Sequence, residues 1–256
     1  MWLFKSTIGR KVVMSVTGIA LILFLTFHCC MNIVALFSGE AYNMICELLG
    51  ANWYAVVATM GLAALAVIHI VYAFILTAQN RTARGENRYE VSTTVNGTNV
   101  VEKWASGNML VLGIIILVGL LLHFYNFWYN MMFAELTGMT VAHSPSDGFA
   151  FIQDTFANPV FVVLYVIWIV ALWLHLSHGF WSALHTLGWS GKTWQCRIQW
   201  IGLIYVTLLM LGFLVVILAF AFGCAPSLCD GCCGGAAECC KEAAAACCKE
   251  AAACCQ

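Results

Sequence analysis

The stretch PVFVVLYVIWIVALWLHLSHGFWSALHT, residues 159–186, contains no Asp, Glu, Lys or Arg and decides the fold class of this chain. A helix needs about 20 apolar residues to cross the hydrocarbon core of a bilayer, so the stretch is long enough for one span and too short for two. A soluble helix would show a polar face at a period of about 3.6 residues, and this stretch does not. We therefore predict a membrane-spanning helix here.

Four further stretches without charged residues extend this prediction along the chain. The five stretches are Val12–Gly39, Leu48–Asn80, Trp104–Ala134, Thr155–Gly191 and Ile198–Cys229. Trp and Tyr cluster at their ends, as in the aromatic belts of membrane proteins. Only 9% of all residues are charged, whereas soluble domains carry about 25%. The predicted fold is an all-α integral membrane bundle of five helices, at about 12–37, 53–79, 107–133, 159–186 and 200–222.

The charged residues of the connecting loops are segregated by sign. Basic residues precede the first helix and lie between the second and third and between the fourth and fifth helices: Lys5, Arg10, Lys11, Arg81, Arg84, Arg88, Lys103, Lys192 and Arg197. The opposite loops contain acidic residues and no Lys or Arg. By the positive-inside rule, the N-terminus is predicted to be cytoplasmic and the C-terminus to lie outside.

One histidine lies deep within each of the first four predicted helices: His28, His69, His123 and His175. An ionisable residue inside a membrane is a functional-site hypothesis by default, with a simple hydrogen bond to a neighbouring helix as the alternative. Each histidine comes 16 positions after the start of its helix, at Val12, Trp53, Gly107 and Pro159. Because alternate helices run in opposite directions, His28 and His123 share an outer level, and His69 and His175 share an inner one. At a rise of about 1.5 Å per residue, the levels are on the order of 10 Å apart.

Two histidines at one depth on two helices can bind a haem b iron from both sides through neutral imidazole nitrogens. A zinc or copper ion bound by histidines would need its ligands clustered at one level. The sequence therefore predicts two bis-His haems b, an outer one on His28 and His123 and an inner one on His69 and His175. Both axial positions of each iron are then filled, which suits electron transfer rather than oxygen binding.

Small residues lie on the ligand faces of these helices, three or four positions from a predicted ligand: Ala66, Ala73, Gly119 and Gly179. They would leave room for a flat macrocycle, and ordinary packing of small residues between membrane helices is the alternative. Three other histidines are predicted to be structural: His143, His178 and His185. Of these, His178 is close enough to His175 to compete as a ligand.

Three segments resemble the single-subunit dihaem cytochrome b that anchors succinate:quinone oxidoreductases, the succinate dehydrogenases and fumarate reductases, in the cytoplasmic (inner) membrane. They are STIGRKVVMSVTG at 6–18, GEAYN at 39–43, and HLSHGFW at 175–181 with LGW at 187–189. The similarity extends over residues 1–222. It implies haem ligands at the four histidines in the pairing given above, and it favours His175 over His178.

The resemblance also implies partners and a substrate. A flavoprotein subunit and an iron–sulfur subunit dock on the cytoplasmic side in this family, and the cytochrome exchanges electrons with a quinone, usually menaquinone. The succinate or fumarate site lies on the flavoprotein. Consistent with that division, the first 223 residues contain no dinucleotide fingerprint and no ferredoxin-type cysteine spacing.

Two positions bear on proton transfer in this family. Some members have a Glu two residues before the fourth ligand, on a transmembrane proton route, and this chain has Trp173 there. Members also use a carboxylate near the outer end of the second helix at the quinone site. Glu47 is the local candidate, since a carboxylate there could accept a quinol proton; a solvated loop residue is the alternative.

Residues 224–256 form a separate segment with 10 of the 14 cysteines and a repeated CCKEAAA pattern. The spacing matches neither a zinc site nor a Cys-x-x-Cys-His haem motif. We interpret it as a low-complexity tail, with disulfide crosslinking, metal capture and acylation as alternatives.

Two other functions remain open at this point. The chain could be the dihaem cytochrome b of a hydrogenase or formate dehydrogenase, although the segments at 39–43 and 175–181 argue against it. A haem-free transporter with histidine proton relays would need helices broken by mid-span prolines. The three prolines, Pro145, Pro159 and Pro226, lie away from the span centres.

Overall fold

The structure is a computed structural model that describes residues 6–84, 100–189, 191 and 193–229. Within these ranges every regular element is helical and no strand occurs. The elements are α1 Thr7–Phe37, α2 Gly39–Leu48, α3 Trp53–Arg84, α4 Val100–Gly107, α5 Met109–His123, a π-helix Phe124–Phe133, α6 Ala134–Thr137, α7 Gly148–Ala157, α8 Pro159–Thr186, α9 Gln195–Ala221 and α10 Pro226–Cys229. The predicted tail beyond residue 229, and the basic residues Lys5, Arg88 and Lys192, lie outside the described residues.

Five helices are long and apolar enough to cross a membrane: α1, α3, the continuous run Met109–Thr137, α8 and α9. The all-helical, five-span prediction is therefore confirmed, and the chain is a multi-pass membrane protein whose apolar helix surfaces suit lipid contact. The observed helix α8 has the predicted bounds. Helices α1 and α9 begin at Thr7 and Gln195, ahead of the predicted starts.

The earlier helix starts follow from the flanking residues. The apolar stretch that defined each predicted helix ends at the first charged side chain. Arg and Lys are nevertheless good helix formers, so the helix continues into the membrane–water interface. At the beginning of α1, the Ser6 side-chain oxygen accepts a hydrogen bond of 3.0 Å from the amide of Gly9, which caps the helix. The basic residues Arg10 and Lys11 thus lie within α1 rather than before it.

Two short helices, α2 and α7, occupy segments that the sequence analysis had treated as loops. Each begins at a side-chain cap: Ser38 accepts a hydrogen bond from the amide of Ala41, and Asp147 accepts one from the amide of Ala150. The two helices are joined through Asn43. Its amide nitrogen donates to Asp147 at 2.7 Å, and its side-chain oxygen accepts from the amide of Phe149 at 2.9 Å.

The third span changes from α- to π-geometry directly after His123. Within this π-helix the Asn130 side chain donates to the backbone oxygens of Tyr125 and Asn126, both at 3.0 Å. The span returns to α-geometry at Ala134 and ends at Gly138, whose φ of 69° is the left-handed conformation typical of a helix C-terminus. π-turns are rare and are frequent at functional sites.

The chain divides into two compact units. Of the described residues, those within 1–27, 53–120 and 168–210 form unit 1, and those within 28–52, 121–167 and 211–256 form unit 2. In unit 1, the buried residues Ala105, Leu112 and Ala171 form an apolar cluster between α4, α5 and α8. In unit 2, the hydroxyl of Ser227 donates to the backbone oxygen of Ala35 at 2.6 Å, which attaches α10 to the end of α1.

Candidate haem-binding histidine pairs

The four histidines singled out by their depth meet in two pairs, one in each unit. In unit 1 the ring centres of His69, on α3, and His175, on α8, are 6.5 Å apart with an interplanar angle of 66°. In unit 2 the ring centres of His28, on α1, and His123, at the end of α5, are 5.8 Å apart with an angle of 84°. These are the two combinations to which the depth argument assigned them.

The geometry of both pairs fits a metal held between two imidazoles. Metal–imidazole bonds of about 2 Å on both sides of one ion, with half a ring beyond each, place the ring centres roughly 6 Å apart. Haem iron needs only two axial protein ligands, because the macrocycle supplies the others. In the part of the chain that the structure describes, no group of three or more His, Cys, Asp or Glu side chains could hold a bare metal ion.

His69 is held at one ring nitrogen by the first helix. The side-chain oxygen of Thr17 lies 3.1 Å from His69 Nδ1. Gly18 lets the ring come close, since a Cβ there would lie 3.3 Å from His69 Cε1. With Nδ1 occupied, Nε2 is the nitrogen left for a ligand.

On α8, His175 and His178 have different neighbours. His175 faces His69, whereas His178 makes an edge contact with the indole of Trp181 at 5.3 Å between ring centres. The buried Nδ1 atoms of both histidines have no hydrogen-bond partner among the described residues. Buried polar atoms are normally satisfied, so these atoms are where a group not contained in the chain would be accommodated.

The pair in unit 2 has aromatic surroundings. His123 lies 5.1 Å from the ring of Phe127 and 6.2 Å from that of Tyr165, and His28 lies 5.8 Å from Phe213. The Tyr165 hydroxyl accepts a 3.4 Å hydrogen bond from the side chain of Asn126, and both residues are buried. Flat rings on several sides of a ligand suit contact with a flat macrocycle.

The glycines near the predicted ligands have two different environments. A Cβ at Gly179 would meet no atom within 4 Å, which leaves open space on the ligand side of α8. A Cβ at Gly119 would instead collide with the indole of Trp168, whose nitrogen donates to the backbone oxygen of Ile116 at 3.0 Å. Gly119 therefore fits the alternative explanation, close packing between helices. For Gly179, the prediction that it leaves room for a cofactor stays open.

Glu47 lies exposed near the end of α2. Glu47 lines a cavity of about 510 Å³, together with Glu40, Asn43, Met44, Ser146 and Asp147. As predicted, Glu47 precedes the second membrane helix. Ser146 and Asp147, just before α7, make that side of the cavity polar. A role at a quinone site stays a prediction.

The remaining residues of interest have structural partners. His143 Nε2 lies at a hydrogen-bond distance of 2.6 Å from the Asp154 carboxylate, and Trp173 donates a hydrogen bond of 2.9 Å to Thr207. His185 is exposed near the end of α8. Sequence reasoning missed Thr17, Asn126 and Tyr165; only Thr17 carried a signal, since it stands beside Gly18 in the segment that resembles the cytochrome family.

Comparison with known proteins adds no relative: no protein-family model, no curated protein and no solved structure matches this chain.

Proposed function

We propose that this protein is the dihaem cytochrome b anchor of a succinate:quinone oxidoreductase, a succinate dehydrogenase or fumarate reductase. Its role would be to pass electrons between an iron–sulfur subunit and membrane quinone. One observation carries the proposal: four membrane helices each contribute one histidine, and these meet as two facing pairs with ring centres 5.8 Å and 6.5 Å apart. The resemblance at residues 6–18, 39–43 and 175–181 supplies the family.

Each pair would hold one haem b through its two imidazoles. His28 and His123 would take one haem, and His69 and His175 the other. When bound, haem supplies a one-electron couple in the membrane. The protein residues would supply the nitrogens that hold the iron, the Thr17 contact that orients His69, and the aromatic wall of Phe127, Tyr165 and Phe213.

The charges of the loops indicate on which side of the membrane the partner subunits would dock. The described basic residues before and between the spans, Arg10, Lys11, Arg81, Lys103 and Arg197, would face the cytoplasm, where the flavoprotein and iron–sulfur subunits dock in this family. The cavity beside Glu47 lies in loops that contain no Lys or Arg, which the same rule would put outside. We propose it as the place where a quinone, menaquinone in most members, exchanges protons.

The experiment that tests the proposal is a reduced-minus-oxidised optical spectrum of the purified protein, with haem counted per chain. We expect two low-spin haems b. As a matched control, His143→Ala removes a histidine that lies outside both pairs and should leave the haem content unchanged. Absence of haem after expression with an adequate haem supply would refute the proposal and favour the histidine-relay transporter.

The identity of the co-purifying subunits tests the second half of the proposal. A flavoprotein and an iron–sulfur protein that together give succinate:quinone or quinol:fumarate activity would support it. Hydrogenase or formate dehydrogenase subunits would keep the two haems and overturn the assignment to succinate:quinone oxidoreductases.

A further inference from the structure

The side chain of Thr17, on α1, contacts a histidine on another helix, at 3.1 Å from His69 Nδ1. It is buried, with 4% of its surface exposed. Its hydroxyl also lies 2.9 Å from the backbone oxygen of Val13 and 3.1 Å from that of Met14. Both oxygens belong to its own helix, α1.

The contacts of Thr17 favour one state of the histidine ring. A hydroxyl has one proton and two lone pairs. The backbone oxygens of Val13 and Met14 only accept, and both lie within hydrogen-bond distance of the Thr17 hydroxyl. When the hydroxyl donates to one of them, it accepts from His69, which then carries its proton on Nδ1 and presents the lone pair of Nε2.

We propose that Thr17 is a positioning residue that holds His69 in the Nδ1-protonated tautomer and aims Nε2 at the site shared with His175. This inference rests on the proposed haem function, to which it adds a residue outside the ligand set. The nitrogen opposite a metal bond in a ligating histidine usually donates to a fixed acceptor, which sets the ring orientation and raises the basicity of the ligand. Gly18 completes the arrangement, because a side chain there would press on His69 Cε1.

A more basic imidazole stabilises ferric over ferrous iron, so loss of the Thr17 acceptor should raise the midpoint potential of one haem. The expected change is up to a tenfold shift in the ferric-to-ferrous preference, which corresponds to about 59 mV for one electron. The other haem should keep its potential, because the histidine that Thr17 contacts, His69, belongs to the first pair alone.

The test is an optical redox titration of the full-length protein with Thr17→Val and Thr17→Ser. Valine keeps the shape and removes the acceptor, whereas serine keeps the acceptor. We expect the valine variant to raise one potential and the serine variant to match the parent. Ser15→Ala is the matched control: Ser15 is also buried on α1, and its hydroxyl donates to the backbone oxygen of Lys11 at 2.9 Å.

The outcomes separate this inference from the proposed function. Two haems with unchanged potentials in Thr17→Val, or equal shifts in the valine and serine variants, would overturn the role of Thr17 and leave the cytochrome assignment intact. A second readout needs no haem: in haem-free protein labelled with ¹⁵N-histidine, the His69 signal, assigned with His69→Gln, should show a protonated Nδ1. A protonated Nε2 would overturn the inference even if haem is absent from the parent.

Discussion

The His69–His175 pair and the His28–His123 pair consist of the same two side chains with different neighbours. Around His69 the contacts include a threonine hydroxyl and a glycine that lets the ring come close. Around His28 and His123 they include the aromatic rings of Phe127, Tyr165 and Phe213. The His69 ring thus contacts a hydroxyl on another helix, and the rings of His28 and His123 pack against flat side chains.

If the two pairs hold haems as proposed, this difference matters, because the ligand set alone does not determine the properties of a metal centre. Hydrogen bonds to a ligand and the polarity around it also tune the metal. Two haems with identical axial ligands would therefore respond differently to substitutions nearby. The following predictions test whether the two pairs respond independently, from the largest effect to the smallest.

Removal of a single ligand should break one pair and spare the other. His175→Ala should lower the haem content from two to one per chain, with the loss confined to the His69–His175 pair, and His123→Ala should do the same for the second pair. Haem counting by the pyridine haemochrome method and redox titration measure this. If either variant lost both haems while still folded, the two sites would not be independent.

Packing in unit 1 should tolerate no side chain at Gly119. Gly119→Ala would force a Cβ into the Trp168 indole and should lower the unfolding free energy by about 1–3 kcal/mol, as overpacking does. Gly113→Ala lies on the same helix with no atom within 4 Å of its Cβ. It should instead be neutral or stabilise by roughly 0.5–1 kcal/mol.

Thermal unfolding of the purified protein in one detergent compares the two glycine variants. Equal melting temperatures for both would show that Trp168 does not pack on Gly119.

The aromatic wall of unit 2 should depend only weakly on its hydroxyl. Tyr165→Phe keeps the ring contact with His123 and removes the 3.4 Å hydrogen bond with Asn126. We expect a loss of about 0.5–1.5 kcal/mol in unfolding free energy, with haem content unchanged. Tyr165→Leu, which removes the ring, should perturb the spectrum of the haem on His28 and His123; a larger effect from phenylalanine than from leucine would contradict the packing role.

The smallest effect concerns a thiol in unit 2 beyond the membrane spans. Burial raises the pKa of Cys46 from its ordinary value of 9.0 to about 11, with contributions of the same sign from Asp147. Because the folded pKa lies above that of the unfolded chain, this thiol favours the folded state below pH 9 and ceases to do so as the pH rises through 11. Alkylation of Cys46 in the folded protein should be slow at pH 8 and rise about tenfold per pH unit up to that value.

Mass spectrometry of the labelled peptide gives the rate, and the denatured chain gives the reference. Alkylation at the same rate in the folded and denatured states at pH 8 would mean that Cys46 is not enclosed by Tyr42 and Gly148, the neighbours nearest to it.

The sequence was sufficient for the five spans and for the grouping of the histidines, because both depend on distance along the chain. The length of an uncharged stretch identifies a span. Because each histidine lies at the same distance from the start of its helix and successive helices alternate in direction, its depth follows from the sequence. Hydropathy does not reveal the short helices α2 and α7, because neither is long or apolar enough for a span; only the capping residues Ser38 and Asp147 indicate them. The contact between Thr17 and His69 depends on which faces of two helices meet, and the π-geometry after His123 has no periodic signature, so neither could be predicted.

The π-helix at 124–133 fixes the angular phase between the two ends of the third span. Upstream stands His123, a proposed ligand, and downstream Glu135 accepts a hydrogen bond of 3.1 Å from the amide of Ala51. Successive residues of an α-helix are rotated by about 100°, since about 3.6 of them make one turn. Deleting one residue from this segment would leave an unbroken helix of similar hydropathy, yet turn Glu135 away from Ala51 or His123 away from His28. The segment thus acts as a spacer whose length, rather than its composition, is under constraint.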